Sequence, residues 1–105
     1  MNLPIVIADL AKAQNNFDSV AYSHCFSETA VVFDEGKTYN GKIEIQQWIK
    51  KANEEFQPVM KPLEYSVAEE ILKAEVSGNF PGSPVVLSYH FELKEGLIQS
   101  LKITV

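Results

Sequence analysis

The sequence predicts an α+β domain over residues 1–105, in which a curved antiparallel sheet wraps three N-terminal helices on one face. Apolar residues recur at helical spacing as far as Phe56, and from Leu63 onward they alternate with polar residues. A chain of 105 residues, 46% of them hydrophobic, has enough apolar surface for one modest core. Such a sheet brings side chains from several strands to one face, where we expect a pocket against the helices.

The first half is predicted to hold three helices. The first has Asn2 as its cap and Pro4 in its first turn, the second has Asn16 as its cap, and the third runs from Lys42 to Phe56. Each presents an apolar face at helical spacing. These faces comprise Leu3, Val6, Ile7, Leu10 and Ala11 in the first helix, Phe17, Val20, Ala21 and His24 in the second, and Ile45, Trp48, Ile49, Ala52 and Phe56 in the third.

Strands are predicted on both sides of the third helix. Before it, "TAVVF" is rich in strand formers, "DEGK" is typical of a turn, and "TY" starts a short return strand. After it, alternation continues through three or four antiparallel strands, with a type II turn at "FPGS" and another turn at "KEG". The last strand alternates through Leu97, Gln99, Leu101, Ile103 and Val105.

Charge and cysteine content exclude several classes of function. The net charge is −5 and no cluster of Lys or Arg is present, which argues against a nucleic-acid partner. The start "MNLPIVIADLAKA" lacks a basic leader and is too short to cross a bilayer, so no membrane association is expected. Cys25 is the sole cysteine and has no zinc-site spacing, which predicts no metal site and a cytoplasmic location.

Two longer strings carry a resemblance to a known family. "FSETAVVFDEGKTYNGKIEIQQWI" and "GNFPGSPVVLSYHFELKEGLIQSLKI" resemble the nuclear transport factor 2-like superfamily, which includes ketosteroid isomerases and SnoaL-like polyketide cyclases. The resemblance implies a cone with an internal pocket, assembled as a homodimer through the outer sheet face. The apolar residues Val32, Val86 and Ile98 are predicted to contribute to that interface.

Asp34 is the candidate catalytic residue. It follows the first strand, where ketosteroid isomerases place their general base, and it shares the strand phase of Ala30 and Val32. A carboxylate enclosed by apolar walls acquires a raised pKa and can move a proton at the carbon beside a carbonyl, which is the chemistry of ketosteroid isomerases. The alternative is ordinary turn chemistry, with Asp34 bonded to backbone N–H groups. Glu35 has the opposite phase and is expected to face solvent.

Five further residues are predicted to bind the substrate: His24, Tyr39, Trp48, Tyr89 and Phe91. His24 could act as acid, base or anchor, and Tyr89 could donate a hydrogen bond to a developing oxyanion. The family supplies such donors from a tyrosine on the first helix and an aspartate on a late strand, and this sequence has neither. For His24, Trp48 and Tyr89, simple packing in the core is the alternative.

The sequence therefore predicts a protein that binds a small hydrophobic or carbonyl-bearing molecule in an apolar pocket. As an enzyme it would be a cofactor-independent isomerase, cyclase or dehydratase with Asp34 as the base. A non-catalytic module for ligand binding, dimerisation or protein docking is the alternative.

Overall fold

A computed structural model describes residues 1–105 and has the three predicted helices in the first half of the chain. Helix α1 spans Ile5–Asn15, α2 spans Ser19–His24 and α3 spans Gly41–Phe56. The cap of α1 is Pro4 rather than Asn2, because the Pro4 carbonyl accepts hydrogen bonds from the N–H groups of Ile7 and Ala8, both at 3.0 Å. None of these helices is long and apolar enough to span a bilayer.

Helix α2 begins later than the sequence predicted. The Asp18 carboxylate accepts a hydrogen bond from the Ala21 N–H at 3.0 Å, so Asp18 is its N-cap and not Asn16. Phe17 lies in the link between the two helices, with a left-handed φ of 53°. The predicted start was wrong because a single residue with positive φ separates α1 from the cap of α2.

The later start also changes which side of α2 is buried. Tyr22 is 2% exposed and Ser23 is fully buried, whereas Val20, on the predicted apolar face, is 48% exposed. The side chains that follow Tyr22 at helical spacing, Cys25 and Phe26, are buried with it. The predicted face of this helix is therefore wrong, and the core takes the neighbouring stripe.

Six strands form one sheet in the order β2-β1-β6-β5-β4-β3. All neighbouring strands are antiparallel except β1 and β6, which are parallel. The α+β fold class is confirmed, and the sheet differs from the prediction by that one parallel pair. The strands are β1 Phe26–Asp34, β2 Lys37–Asn40, β3 Val59–Ser66, β4 Ile71–Ser77, β5 Val85–Lys94 and β6 Leu97–Thr104.

Two residues assigned to the dimer face, Ile98 and Val32, lie in the core instead. Glu92 of β5 pairs with Ser100, but Leu93 pairs with Ile98, so β6 carries an extra residue and its alternation changes phase. Ile98 consequently turns inward and is fully buried. Val32 is also fully buried. Neither residue can reach an outer interface.

The helices pack on one face of the sheet, where nineteen buried apolar side chains form one continuous cluster. Helix α3 contacts β1, and α1 contacts β3. Beyond the end of α3, Gly78 allows the chain after β4 to approach closely: a Cβ there would lie 2.6 Å from the Phe56 carbonyl oxygen. That oxygen accepts a hydrogen bond from the Asn79 N–H at 2.7 Å. The β4–β5 loop is thereby held against α3.

Candidate functional site

A cavity of about 720 Å³ lies between α3 and the inner face of the sheet. Its volume is within the range of small-molecule sites, which is about 300–1,000 Å³. It extends from the β1–β2 turn to the β4–β5 loop and has mainly apolar walls. The side chains that form these walls include Trp48, Ala52, Phe56, Met60, Leu87 and Ile103.

Asp34 lines this cavity from the end of β1. It pairs with Lys37 across a turn whose two central residues both have positive φ, 51° at Glu35 and 75° at Gly36. This is a type I′ hairpin turn, whose twist matches that of the strands. The strand keeps the phase of Val32 up to Asp34, so the carboxyl group lies on the inner side, while Glu35 is exposed as predicted.

The surroundings of Asp34 disfavour its charged form. Burial against the apolar walls raises its pKa from 3.8 to about 6, and the nearby charge of Glu35 adds to the effect. The backbone N–H of Glu35 acts in the opposite direction and is outweighed. At neutral pH the group is thus ionised but basic enough to accept a proton.

Two tyrosines share this end of the cavity. Tyr89 on β5 is 6% exposed, and burial, followed by the charge of Asp34, raises its pKa. Burial also raises the pKa of Tyr22 on α2, with further contributions from Tyr89, Cys25 and Asp34. Both phenols therefore stay protonated at neutral pH, so each can donate a hydrogen bond and neither can serve as a base.

Neither tyrosine hydroxyl is used inside the protein. No hydrogen bond joins either one to a protein group, and no buried polar side-chain atom is left without a partner. Both hydroxyls must therefore keep accessible surface, and both residues line the cavity. Two phenolic donors next to one carboxylate are thus available to a bound molecule.

Trp48 forms an aromatic wall beside these groups. Its ring lies edge-on to Tyr22, with ring centroids 6.2 Å apart, and it lines the cavity. Tyr39 stacks on the other side of Trp48 at 5.3 Å, so it supports the wall and does not line the cavity. Burial, Asp34 and Glu35 together raise the pKa of Tyr39.

The structure does not bring Phe91 or His24 to the cavity. Phe91 is 4% exposed and lies in the core beside Tyr89, with ring centroids 6.4 Å apart. His24 is exposed at the end of α2 and lines a separate groove of about 910 Å³, because the stripe of Tyr22, Cys25 and Phe26 faces the core instead. His24 and Asp34 therefore line two different cavities.

That groove lies between α1, α2 and the β5–β6 turn. Asp9, Lys12, Asp18 and Glu95 surround it, so its wall mixes both charges. Cys25 also lines it, but burial raises the pKa of this thiol to about 11, with a contribution from Asp9. The thiol stays protonated at neutral pH, which makes it a poor nucleophile. No three His, Cys, Asp or Glu side chains in the protein could hold a metal ion.

Tyr22 and Gln14 are site residues that the sequence interpretation missed. Tyr22, Cys25 and Phe26 have i, i+3, i+4 spacing, which is an apolar stripe equal in quality to the one chosen. Gln14 continues the stripe of Ile7 and Leu10, so a polar group on a buried helix face was visible in the sequence. Gln14 lines the cavity and is 6% exposed.

Comparison with known proteins gives a clear fold relationship. No protein-family model matches the chain. No curated protein sequence matches it either. Among solved structures, a candidate polyketide cyclase from Sinorhizobium meliloti is 38% identical, with a TM-score of 0.92 over 97% of this chain and 95% of that chain.

Two more distant structures show the same fold. A Catenulispora acidiphila protein with a ketosteroid isomerase-like fold, in complex with trimethylamine, is 16% identical, with a TM-score of 0.86 over 99% of this chain and 87% of that one. A Mycobacterium tuberculosis protein in complex with estradiol-17beta-hemisuccinate is 10% identical, with a TM-score of 0.77 over 96% and 91% of the two chains.

Proposed function

The chain belongs to the nuclear transport factor 2-like superfamily, and we propose that it binds a small apolar carbonyl compound and moves a proton at the carbon beside the carbonyl. One observation carries the proposal: a carboxylate of raised pKa shares an apolar cavity with two phenols whose hydroxyls have no partner in the protein. A base and donors for an oxyanion are what enolisation requires. The similar fold that holds estradiol-17beta-hemisuccinate supports a ligand of polycyclic size.

The proposed step begins at Asp34. Its carboxylate takes a proton from the carbon beside the carbonyl, and the electrons of that C–H bond pass to the carbonyl oxygen to form an enolate. Protonated Asp34 then returns the proton to the same or another carbon of the conjugated system. The base and the proton carrier are one side chain, so the step requires no metal or organic cofactor.

Tyr22 and Tyr89 stabilise the enolate oxygen in this scheme. Each hydroxyl donates a hydrogen bond, and the bond strengthens as negative charge develops on the oxygen. A ligand bound between the apolar walls of Trp48, Leu87 and Ile103 would displace water from these groups, which increases the energy of these interactions. Both donors are held by packing and need no reorganisation during the step.

Proton exchange on 2-tetralone tests the proposal, because this bicyclic ketone has exchangeable protons beside its carbonyl. In D₂O, we expect wild-type protein to accelerate incorporation of deuterium at those carbons, followed by proton NMR. Asp34→Asn should reduce the rate by at least about a hundredfold, since the amide cannot accept the proton. Glu69→Gln is the matched control and should retain the rate, because Glu69 is exposed and lies outside the cavity. Equal rates for Asp34→Asn and wild type would contradict the proposal.

Binding without chemistry is the second candidate function. The contact between the Glu35 backbone N–H and the Asp34 carboxylate favours it, because such contacts are typical of a carboxylate that only closes a turn. Under this alternative 2-tetralone would raise the melting temperature of the protein while deuterium incorporation stayed at the background rate.

The homodimer and the cytoplasmic location remain predictions. Val86, which is 46% exposed, is the one residue of the proposed interface that is available.

A further inference from the structure

We infer that Gln14 selects ligands that carry a hydroxyl or N–H donor at the end opposite the carbonyl group. The inference rests on the proposed function for the position of the carbonyl, which Tyr22 and Tyr89 would hold at one end of the cavity. It adds an acceptor at the other end and thereby defines the substrate class as hydroxylated or amino-substituted ketones and related carbonyl compounds.

The orientation of the Gln14 amide follows from its partners. Nε2 donates to the carbonyl oxygen of Pro58 at 2.7 Å and to Oδ1 of Asn53 at 3.0 Å. A backbone carbonyl can only accept, so the amide group that faces Pro58 must be the NH₂ group. Both of its hydrogens are engaged, and the position of Oε1 is fixed by that pair of bonds.

The Oε1 atom is left as a free acceptor. No hydrogen bond within the protein reaches it, yet the protein has no buried polar side-chain atom that lacks a partner. Oε1 must therefore retain accessible surface, although Gln14 as a whole is 6% exposed. The cavity is the space that Gln14 lines. A carbonyl oxygen held rigidly at an apolar wall is a binding group for a donor on the ligand.

Helix α3 sets the separation of the two polar ends. Trp48 packs against Tyr22 at the carbonyl end, and Asn53 binds Gln14 at the other. Five residues of helix correspond to roughly 7.5 Å along its axis. The wall between them is apolar, with Ile49 and Ala52. A fused bicyclic ketone with a hydroxyl group on its far ring has its carbonyl and its donor at opposite ends of an apolar body, which matches this order of polar and apolar wall.

A set of three ligands tests the inference on the wild-type protein. The dissociation constants of 2-tetralone, 6-hydroxy-2-tetralone and 6-methoxy-2-tetralone are measured by calorimetry. We expect the hydroxy compound to bind about tenfold more tightly than the methoxy compound, because only the first can donate to Oε1 and the second leaves it desolvated and unpaired. In ¹⁵N-labelled protein, the side-chain amide signal of Gln14 should shift with the hydroxy compound only.

Gln14→Met supplies the matched variant, since it keeps the length of the side chain and removes the amide. The two dissociation constants, for the hydroxy and the methoxy compound, should become about equal in this variant. Because both are measured on the same protein, their ratio does not depend on its stability. Equal binding of the two compounds by wild type, or an unchanged ratio in Gln14→Met, would overturn the inference. If that variant does not fold, the wild-type ratio and the Gln14 signal decide the question.

The outcomes separate this inference from the proposed function. A Gln14-dependent preference without deuterium incorporation would support the acceptor role and contradict the proton transfer. Deuterium incorporation that depends on Asp34, with no preference for the hydroxy compound, would support the proton transfer and contradict the acceptor role of Gln14. Failure of all three compounds to bind at millimolar concentration would overturn the inference together with the proposed ligand class.

Discussion

At the scale of residues, the candidate site consists of one carboxyl group and two phenols in apolar surroundings. The phenols of Tyr22 and Tyr89 contribute no internal hydrogen bond, although each is more than nine-tenths buried. Each hydroxyl instead keeps accessible surface on the cavity, where a ligand can accept its proton. Their placement is thus better explained by binding than by folding.

Replacing either phenol by phenylalanine separates these two roles. Tyr22→Phe and Tyr89→Phe should each slow deuterium incorporation by about tenfold or more, because one donor to the enolate oxygen is lost. Their melting temperatures should stay within a few degrees of wild type, since no internal bond is broken. Tyr65→Phe, on β3 outside the cavity, is the control and should change neither property. Slowing by Tyr65→Phe equal to that of the other two would contradict the role of the donors.

At the scale of elements, helix α2 matters most because it carries Tyr22. It has only six residues, so its start depends strongly on the cap. Asn16 and Asp18 are both residue types that cap helices, and two apolar stripes overlap in the residues that follow them. Propensity and periodicity cannot choose between them, because the choice is made by packing of Tyr22 and Phe26 in the core. The missed tyrosine donor follows directly from that ambiguity.

The cap of α2 can be tested by a pair of substitutions. Asp18→Ala should lower the free energy of unfolding by about 1 kcal/mol, since the hydrogen bond to the Ala21 N–H is lost. Asn16→Ala should change it by less than about 0.5 kcal/mol, because the Asn16 side chain caps nothing. Urea unfolding followed by circular dichroism measures both. A larger loss in Asn16→Ala would support the start that the sequence suggested.

At the scale of the whole molecule, the fold class was predictable from the sequence and the cavity lining was only partly so. The period-two pattern after Leu63 correctly predicted antiparallel strands. The parallel β1–β6 pair and the extra residue in β6 were not predictable, because they arise when distant strands are brought into register. The sequence therefore led to the wrong face for Ile98. Asp34, Trp48 and Tyr89 were nevertheless assigned to the pocket, and all three line the cavity.

The stability of the folded state should depend on the ionisation of Asp34. Its folded pKa of about 6 lies above the ordinary 3.8, so the fold favours the protonated form. The protonated carboxyl group's contribution to folding stability is present in acid and is lost as the pH rises from about 4 to about 6. Asp34→Asn should therefore melt several degrees above wild type at pH 8 and close to it at pH 4. An equal difference at both pH values would contradict the raised pKa.

The pH dependence of proton exchange on 2-tetralone directly tests whether Asp34 is the base. If Asp34 is the base, kcat/KM for deuterium incorporation should rise as its carboxyl group ionises, with a midpoint near pH 6, and level off above it. Asp34→Asn should remove both the midpoint and the plateau. A wild-type rate without a midpoint between pH 5 and pH 7, or a profile that Asp34→Asn leaves unchanged, would contradict the assignment of Asp34 as the base.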